Sequence, residues 1–194
     1  HISDTTPFLF MLRPRGDLNQ HITFEEFIIK PNIKITQFQD IYGNSYQRFV
    51  APPGKLKVQS NARIKINENN NAFGKEFIEI NSLPENVLLY LLPSRYCESD
   101  TFNLMANEIT QGLALGYEQV NVITNWIRNN ISYEHSSSDI HVSAVEVNNR
   151  KFGVCRDFAH LAIALCRSIS IPSRIVVGYL YKLDPMDLHA WFEV

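Results

Sequence analysis

Short runs of β-branched and aromatic residues alternate with polar positions through the first half of the chain. Each run has the two-residue period of a strand with one buried face. Turn-forming residues such as Lys30-Pro31-Asn32 and Pro52-Pro53-Gly54 separate the runs. Several short strands at this spacing are typical of an antiparallel β-sandwich, which we assign to residues 1–95. The predicted strands are Phe24–Lys30, Ile33–Gln39, Tyr46–Val50, Leu56–Val58, Ala62–Asn67 and Phe77–Ile80.

Helical periodicity replaces this alternation near residue 100. Thr101–Leu115 and Glu118–Asn130 repeat apolar residues at intervals of three and four, so both are predicted to be helices. The sequence Ser143-Ala144-Val145-Glu146 has the form of a capping box, which predicts a short helix to about Asn149. The stretch Ser132–Val142 is polar and irregular, which indicates a loop.

A further apolar stripe begins at Cys155 and runs to Ile169. It predicts a helix with Cys155 in the first turn. Arg174–Tyr181 and Leu188–Val194 have the pattern of two strands, and we expect them to form an antiparallel pair packed on this helix. The chain is therefore predicted to be an α+β protein, in which residues 96–194 form a core of helices on an antiparallel sheet.

The composition narrows the class of protein. Hydrophobic residues make up 45% of the 194, which is enough for a sizeable core, and the formal net charge is −2. No basic run is present, so neither nucleic acid nor an anionic membrane is an expected partner. The cysteines and histidines lack metal-ligand spacing, so no metal or other cofactor is expected. Three cysteines cannot all pair in one chain and no signal-peptide pattern opens it, so a reducing, cytoplasmic location is expected.

Cys155 is a candidate nucleophile. Unpaired N–H groups and the positive end of the helix dipole favour a thiolate in the first turn, and the same N–H groups can stabilise an oxyanion. His189 begins the second strand and shares a face with Trp191 and Glu193 by the two-residue period. A thiol on a helix facing an imidazole on a strand is a workable nucleophile–base pair. By spacing alone, a small core cysteine and a structural histidine are the commoner interpretation, so periodicity does not establish a catalytic pair by itself.

Three segments carry a resemblance to a known family. They are Gly153-Val154-Cys155-Arg156-Asp157-Phe158-Ala159-His160-Leu161, Ile171-Pro172-Ser173-Arg174 and His189-Ala190-Trp191-Phe192-Glu193-Val194. In this order they closely resemble the core of the bacterial transglutaminase-like superfamily. The resemblance continues upstream at Trp126-Ile127, Tyr133 and Ser143-Ala144, and Asp40-Ile41-Tyr42-Gly43-Asn44 is similar to that family's N-terminal β domain.

The resemblance implies a papain-like fold with a Cys–His–Asp triad. Cys155 matches the family's nucleophile and His189 its base. Asp157 is expected to support the helix start and the active-site loop, and Trp191 is a candidate wall of the substrate cleft. The family's third triad residue, an Asp on the following strand, would lie beyond Val194. We therefore expect the natural protein to continue past Val194, and these 194 residues alone to be catalytically impaired.

Two hypotheses of function follow. The first is a cysteine-dependent amide-bond enzyme, a peptidase, amidase or acyl transferase, that forms an acyl-enzyme on Cys155 with His189 as base. Its expected substrate is a peptide or protein carboxamide, and hydrolysis is favoured over cross-linking. The second is a non-catalytic binding or scaffolding module that keeps the transglutaminase-like fold. The Cys–His pair favours the first hypothesis, whereas the absent triad Asp favours the second.

Overall fold

The structure is a computed structural model that describes residues 1–16, 20–66, 75, 77–135 and 141–194. It contains helices and largely antiparallel sheets, as the sequence predicts for an α+β protein. The chain divides into two compact units, His1–Asn71 and Ala72–Val194. The boundary expected at residue 95 differs from this division, because residues 77–95 group with the second unit.

The described part of the first unit forms two antiparallel sheets. β4 lies between β1 and β3 in one sheet, and β2 pairs with β5 in the other. Two antiparallel sheets agree with the sequence prediction, and their face-to-face packing as a β-sandwich stays a prediction. The strands are β1 (Thr6–Phe10), β2 (Gln20–Lys30), β3 (Thr36–Gln39), β4 (Ser45–Ala51) and β5 (Lys57–Ile66).

The long strand β5 was predicted as two strands, Leu56–Val58 and Ala62–Asn67, and that division is wrong. Three polar residues, Gln59–Asn61, interrupt the apolar alternation. In the structure they continue the ladder against β2, because backbone hydrogen bonds form whatever the side chain is. Asn67 itself lies outside the described residues.

Other strand predictions also differ from the structure. Ile33–Gln39 becomes strand only at Thr36. β1 was not predicted; it is an edge strand of its sheet, a position at which its Pro7 is tolerated. Phe77–Ile80 is not a strand, since a turn of 3-10 helix begins at Ile80 and Phe77 packs against the core of the second unit.

The second unit consists of helices around one central helix, with two short strand pairs. β6 pairs with β7 in parallel, and β8 pairs with β9 antiparallel. The described elements are α1 (Asn103–Ile109), α2 (Tyr117–Asn130), β6 (Ser132–Tyr133), α3 (Ala144–Arg150), β7 (Phe152–Gly153), α4 (Cys155–Ser168), β8 (Arg174–Tyr179) and β9 (Leu188–Glu193).

The first predicted helix, Thr101–Leu115, is much shorter than expected. α1 ends at Ile109, where the Thr110 hydroxyl donates to the Ala106 carbonyl. Gly112 then takes a φ of 77°, which a right-handed helix cannot contain. Apolar residues continue the helical period beyond Ile109, so the sequence pattern predicts a longer helix than the structure contains.

The predicted capping box at Ser143 is confirmed. The Ser143 hydroxyl accepts from the Glu146 N–H at 3.4 Å, and the Glu146 carboxylate accepts from the Ser143 N–H at 2.7 Å. These two bonds satisfy backbone donors that a helix start leaves free, so α3 begins at Ala144.

Helix α4 is the centre of the second unit and lies where the apolar stripe predicts it. All residues from Leu161 to Cys166 are buried in a core that α1, α2 and α3 also line. The pairing of β8 with β9 and their packing on α4 agree with the sequence prediction, although both strands end earlier than expected. No helix among the described residues is long and apolar enough to cross a membrane.

Candidate active site

Cys155 is the first residue of α4, and its side chain is partly exposed. The other two cysteines are buried, Cys97 at 5% exposure and Cys166 at 0%. Burial raises the pKa of Cys97 and raises that of Cys166 to about 12. Of the three thiols, only Cys155 therefore combines solvent access with a position at the positive end of a helix.

The start of α4 is held by the buried carboxylate of Asp157. Its Oδ2 accepts from the Val154 N–H at 3.1 Å and from Arg150 Nη2 at 2.9 Å, and its Oδ1 accepts from Arg156 Nε at 3.1 Å. The Asp157 side chain is 0% exposed. One carboxylate thus caps the helix from within and ties it to the end of α3, which fixes the backbone on both sides of Cys155.

Gly153 allows this close packing. A Cβ at Gly153 would lie 2.8 Å from the Asp157 Cβ and 2.9 Å from its Oδ2. Real Cβ contacts are not this short, so any larger residue would push the carboxylate away from the helix start. A glycine at position 153 is therefore needed for β7 to lie this close to the Asp157 side chain.

Tyr133 lies near the start of α4, although the sequence gave it no role beyond the family resemblance. Tyr133 pairs with Gly153 in the parallel bridge of β6 with β7, and its ring packs edge-on against Phe158 in the first turn of α4, with centroids 5.8 Å apart. Burial, followed by the charge of Cys155, raises the pKa of Tyr133. No spacing rule links these two positions, since a backbone bridge brings them together.

His189 is the second residue of β9 and lies opposite Gly178 on β8. β9 packs against α4, and Asp187, just before the strand, is close enough to act electrostatically on Tyr133. The beginning of β9 and the start of α4 thus belong to the same region of the second unit. The approach of the Cys155 sulfur to the His189 ring stays a prediction.

The face of β9 that carries His189 also carries Trp191 and Glu193. Ala190 is buried and Phe192 packs on the core, so the alternating residues point to the other side. The Trp191 ring covers Gly178, where an added Cβ would lie 3.0 Å from its Cη2. Glu193 forms an ion pair with Arg174 on the neighbouring strand, which gives that carboxylate a structural partner.

His160 is the buried histidine of α4 and lies away from solvent at 9% exposure. Its ring stacks on Tyr96 with centroids 5.3 Å apart. Burial lowers the pKa of His160, and among the described residues its Nδ1 has no hydrogen-bond partner. Histidines, cysteines, aspartates and glutamates of the described residues form no group of three that is fit to hold a metal ion.

Comparison with known proteins agrees with this fold. The model of the transglutaminase-like superfamily matches residues 104–194, from α1 to β9. A crystal structure from Cytophaga hutchinsonii, of a protein described as a "putative cysteine protease", superposes with a TM-score of 0.86 at 34% sequence identity. The alignment covers 99% of this chain and 68% of that one. The chain belongs to the transglutaminase-like superfamily.

A second protein similar to this transglutaminase-like chain is an uncharacterized protein of Mycobacterium leprae. The two are 36% identical over 76 residues, which is 35% of this chain and 27% of the M. leprae protein. The aligned part thus spans about a quarter of that relative's length. The family resemblance of the cysteine and histidine segments is confirmed at the level of the superfamily.

Proposed function

We propose that this transglutaminase-like protein is a cysteine-dependent amide-bond enzyme that acts on a peptide or protein carboxamide. In this proposal Cys155 is the nucleophile and His189 is its base. The observation that carries it is the position of Cys155, which is the partly exposed first residue of an otherwise buried helix. Membership of the superfamily and the likeness to the C. hutchinsonii protein support a function of the cysteine-protease type.

The proposed reaction has two half-reactions. His189 takes the thiol proton, and the Cys155 sulfur attacks the carboxamide carbon, so that a C–S bond forms and the carbonyl electron pair moves to oxygen. Collapse of this intermediate breaks the C–N bond, and the amine leaves with the proton from His189. A second nucleophile, deprotonated by His189, then cleaves the thioester and restores the thiol.

Water as the second nucleophile gives hydrolysis, and an amine gives transamidation. We favour hydrolysis because the well-aligned relative is described as a protease, although the same acyl-enzyme serves both outcomes. Neither half-reaction changes an oxidation state, and each proton is returned. The proposed chemistry therefore needs no redox cofactor.

Asp157 and Trp191 have supporting roles in this proposal. Asp157 orients the first turn of α4, and with it the thiol, through the Val154 N–H and Arg150. Trp191 provides an apolar wall on the face of β9 that carries His189. We assign no catalytic side chain to the first unit, His1–Asn71.

Selective alkylation is the first test. Iodoacetamide is applied over a range of pH, and labelling of each cysteine is followed by peptide mass spectrometry. We expect Cys155 to react much faster than Cys97 or Cys166, because those two thiols are buried and Cys155 is partly exposed. Equal labelling of all three cysteines, or protection of Cys155 alone, would contradict the enzyme and favour the non-catalytic binding module.

Turnover is the second test. A glutamine-containing peptide and a denatured protein serve as carboxamide sources, with water or hydroxylamine as acceptor. Cys155→Ser should abolish release of ammonia or new amino termini, and His189→Asn should reduce it by about 10²–10⁴-fold. His21→Asn, in the first unit, is the matched control and should keep full activity. Activity that survives Cys155→Ser would refute the proposal.

A further inference from the structure

The first unit contains an open cleft beside the end of strand β4. Its volume is about 460 Å³, which lies within the range of ligand-binding sites. Residues of β1, of β4 and of the start of β3 line it, together with the segment that precedes β3. None of the lining residues has a role in the proposed reaction at Cys155. The cleft is therefore a candidate site for a ligand other than the reacting carboxamide.

The cleft lies where β3 leaves the sheet before β4 ends. β3 begins at Thr36, which lies opposite Arg48, whereas β4 continues to Ala51. Residues 33–35 are not in a strand, and among the described residues no backbone hydrogen bond joins them to β4. On the other side, β4 stays paired with β1 as far as Ala51. In the described part of this sheet, residues 49–51 therefore have a neighbouring strand on one side only.

The open side of β4 faces this cleft. Phe49 lines the cleft although its ring stacks on Phe8 on one face of the sheet, and Arg48 and Val50 line it from the other face. A cleft that reaches both faces of a strand lies at the side of that strand. In an antiparallel ladder, successive residues direct their N–H and C=O groups alternately to the two neighbours, so at least one of residues 49–51 directs both groups toward the open side. Such groups can pair with an extended peptide, which then adds a strand to the sheet.

Two cations and several apolar side chains line the same cleft. Lys34 and Arg48 are exposed, and among the described residues neither has an ion pair or a side-chain hydrogen bond. None of the described lining residues is acidic, although the whole chain has a formal net charge of −2. Pro7, Ile33 and Val50 provide apolar surface, and Val50 is 55% exposed. This surface is complementary to an anionic group with apolar neighbours.

We propose that this cleft binds an extended, acidic peptide segment of a partner protein, which pairs with the end of β4 and places a carboxylate beside Lys34 and Arg48. The main chain of the peptide bonds the open side of β4, which gives affinity for an extended segment. Its side chains give the specificity, an acidic residue for the two cations and an apolar residue against Pro7 and Val50. This inference is independent of the proposed function, because it uses no residue of the second unit.

The exposure of the two cations favours a peptide over a free anion. An exposed ion pair contributes little affinity and is screened by salt, so Lys34 and Arg48 alone hold a small anion weakly. A peptide adds main-chain hydrogen bonds and apolar contacts to the same ion pairs. Because alternate side chains of a strand point to the same face, a segment in which acidic and apolar residues alternate presents each kind of side chain to one face of the sheet.

Fluorescence anisotropy on the 194-residue chain tests the proposal. The probe is a fluorescein-labelled peptide of sequence Thr-Val-Glu-Val-Glu-Val-Thr, in which acidic and β-branched residues alternate. A second probe has lysine in place of both glutamates. Two further probes keep the glutamates but carry N-methyl groups on one or the other set of alternate amides, which removes main-chain donors. Free glutamate is added as a competitor that has the charge without the strand.

We expect the glutamate probe to bind the wild-type chain and to bind the double variant Lys34→Gln/Arg48→Gln about 10-fold more weakly, the effect of losing two exposed ion pairs. The matched control is Arg63→Gln/Lys65→Gln, which removes an exposed arginine and an exposed lysine of β5 that do not line the cleft, and it should leave the affinity unchanged. The lysine probe and at least one N-methylated probe should bind the wild-type chain about 10-fold more weakly. In amide NMR spectra, the glutamate probe should shift the signals of residues 49–51 more than those of β5.

Other outcomes overturn the proposal in distinguishable ways. A wild-type chain that does not bind the glutamate probe at millimolar concentration has no such site. Equal affinity of the two double variants contradicts the role of Lys34 and Arg48, and unchanged affinity of both N-methylated probes contradicts pairing with β4. Displacement of the probe by free glutamate as readily as by unlabelled peptide means that the cleft holds only a small anion. Amide shifts centred on the second unit place the peptide elsewhere and also overturn the inference.

Discussion

Replacement of Asp157 by asparagine tests how much of the site depends on one buried charge. The substitution keeps the shape of the side chain and one oxygen that can accept from the Val154 N–H. It removes the charge that Arg150 and Arg156 contact at 2.9 and 3.1 Å. Asp157 is fully buried, and the two arginine side chains are only 17% and 25% exposed, so water replaces little of what is lost.

The expected loss of unfolding free energy follows from the fact that a buried ion pair is broken. Breaking a buried ion pair by removing one partner costs about 3–5 kcal/mol, because the remaining charge is left uncompensated. The retained cap and the partial exposure of the arginines place Asp157→Asn near the lower end, at about 3 kcal/mol. A change of 1 kcal/mol shifts Tm by roughly 3 °C in a unit of this size, so Tm should fall by about 10 °C.

Thermal and urea unfolding measure this change, and Glu193→Gln is the matched control. Glu193 also pairs with an arginine, but its side chain is 46% exposed, so its loss should cost less than about 1 kcal/mol. Asp157→Asn should also slow alkylation of Cys155, because the first turn of α4 loses its anchor. If Asp157→Asn costs no more than Glu193→Gln, the reasoning from the buried charge is refuted.

Three further predictions concern the same unit. Gly153→Ala should cost about 1–3 kcal/mol in urea unfolding, because the added methyl meets Asp157 at 2.8 Å. Gly16→Ala, whose nearest contact would be 3.6 Å, should cost little, and equal losses would contradict the clash. Ser143→Ala removes the confirmed cap of α3 and should cost about 1 kcal/mol, whereas an unchanged unfolding midpoint would show that the cap is dispensable. Because burial holds the pKa of His160 below its unfolded value near 6.5, only the unfolded chain takes up this proton as the pH falls below that value. The contribution of His160 to the free energy of unfolding is thus complete above pH ~6.5 and declines below it. Between pH 7 and pH 5.5, chemical unfolding should show a smaller loss of unfolding free energy for His160→Gln than for wild type. Equal losses in the two proteins would contradict this.

The helices show where sequence patterns succeed and where they fail. α4 and α3 were predicted well because each has a local signal: an apolar stripe in α4 and a reciprocal cap at Ser143 in α3. α1 was predicted too long because periodicity says which face of a helix would be buried, not where the backbone leaves the helix. Gly112 and its positive φ decide that end.

Some residues of the candidate site could also be predicted from the sequence, and others could not. Cys155 could be singled out from the sequence because its place at a helix start is a local property, and the family resemblance identified His189. No spacing predicted that Tyr133 and Arg150 lie at the start of α4, because a strand bridge and a buried ion pair between distant segments bring them there. Tyrosine and arginine also occur at several other positions of the sequence, so the residue type alone does not mark a position near the site.

By itself, the sequence determined the α+β class, the thiol at the start of α4 and the antiparallel strand pair that packs on it, because hydrophobic periodicity and caps depend on near neighbours along the chain. The tertiary structure alone decided which thiol meets solvent, how deeply Asp157 is buried, and that the Tyr133 ring packs against the first turn of α4. These properties depend on which distant segments exclude water from one another, and no local pattern records that.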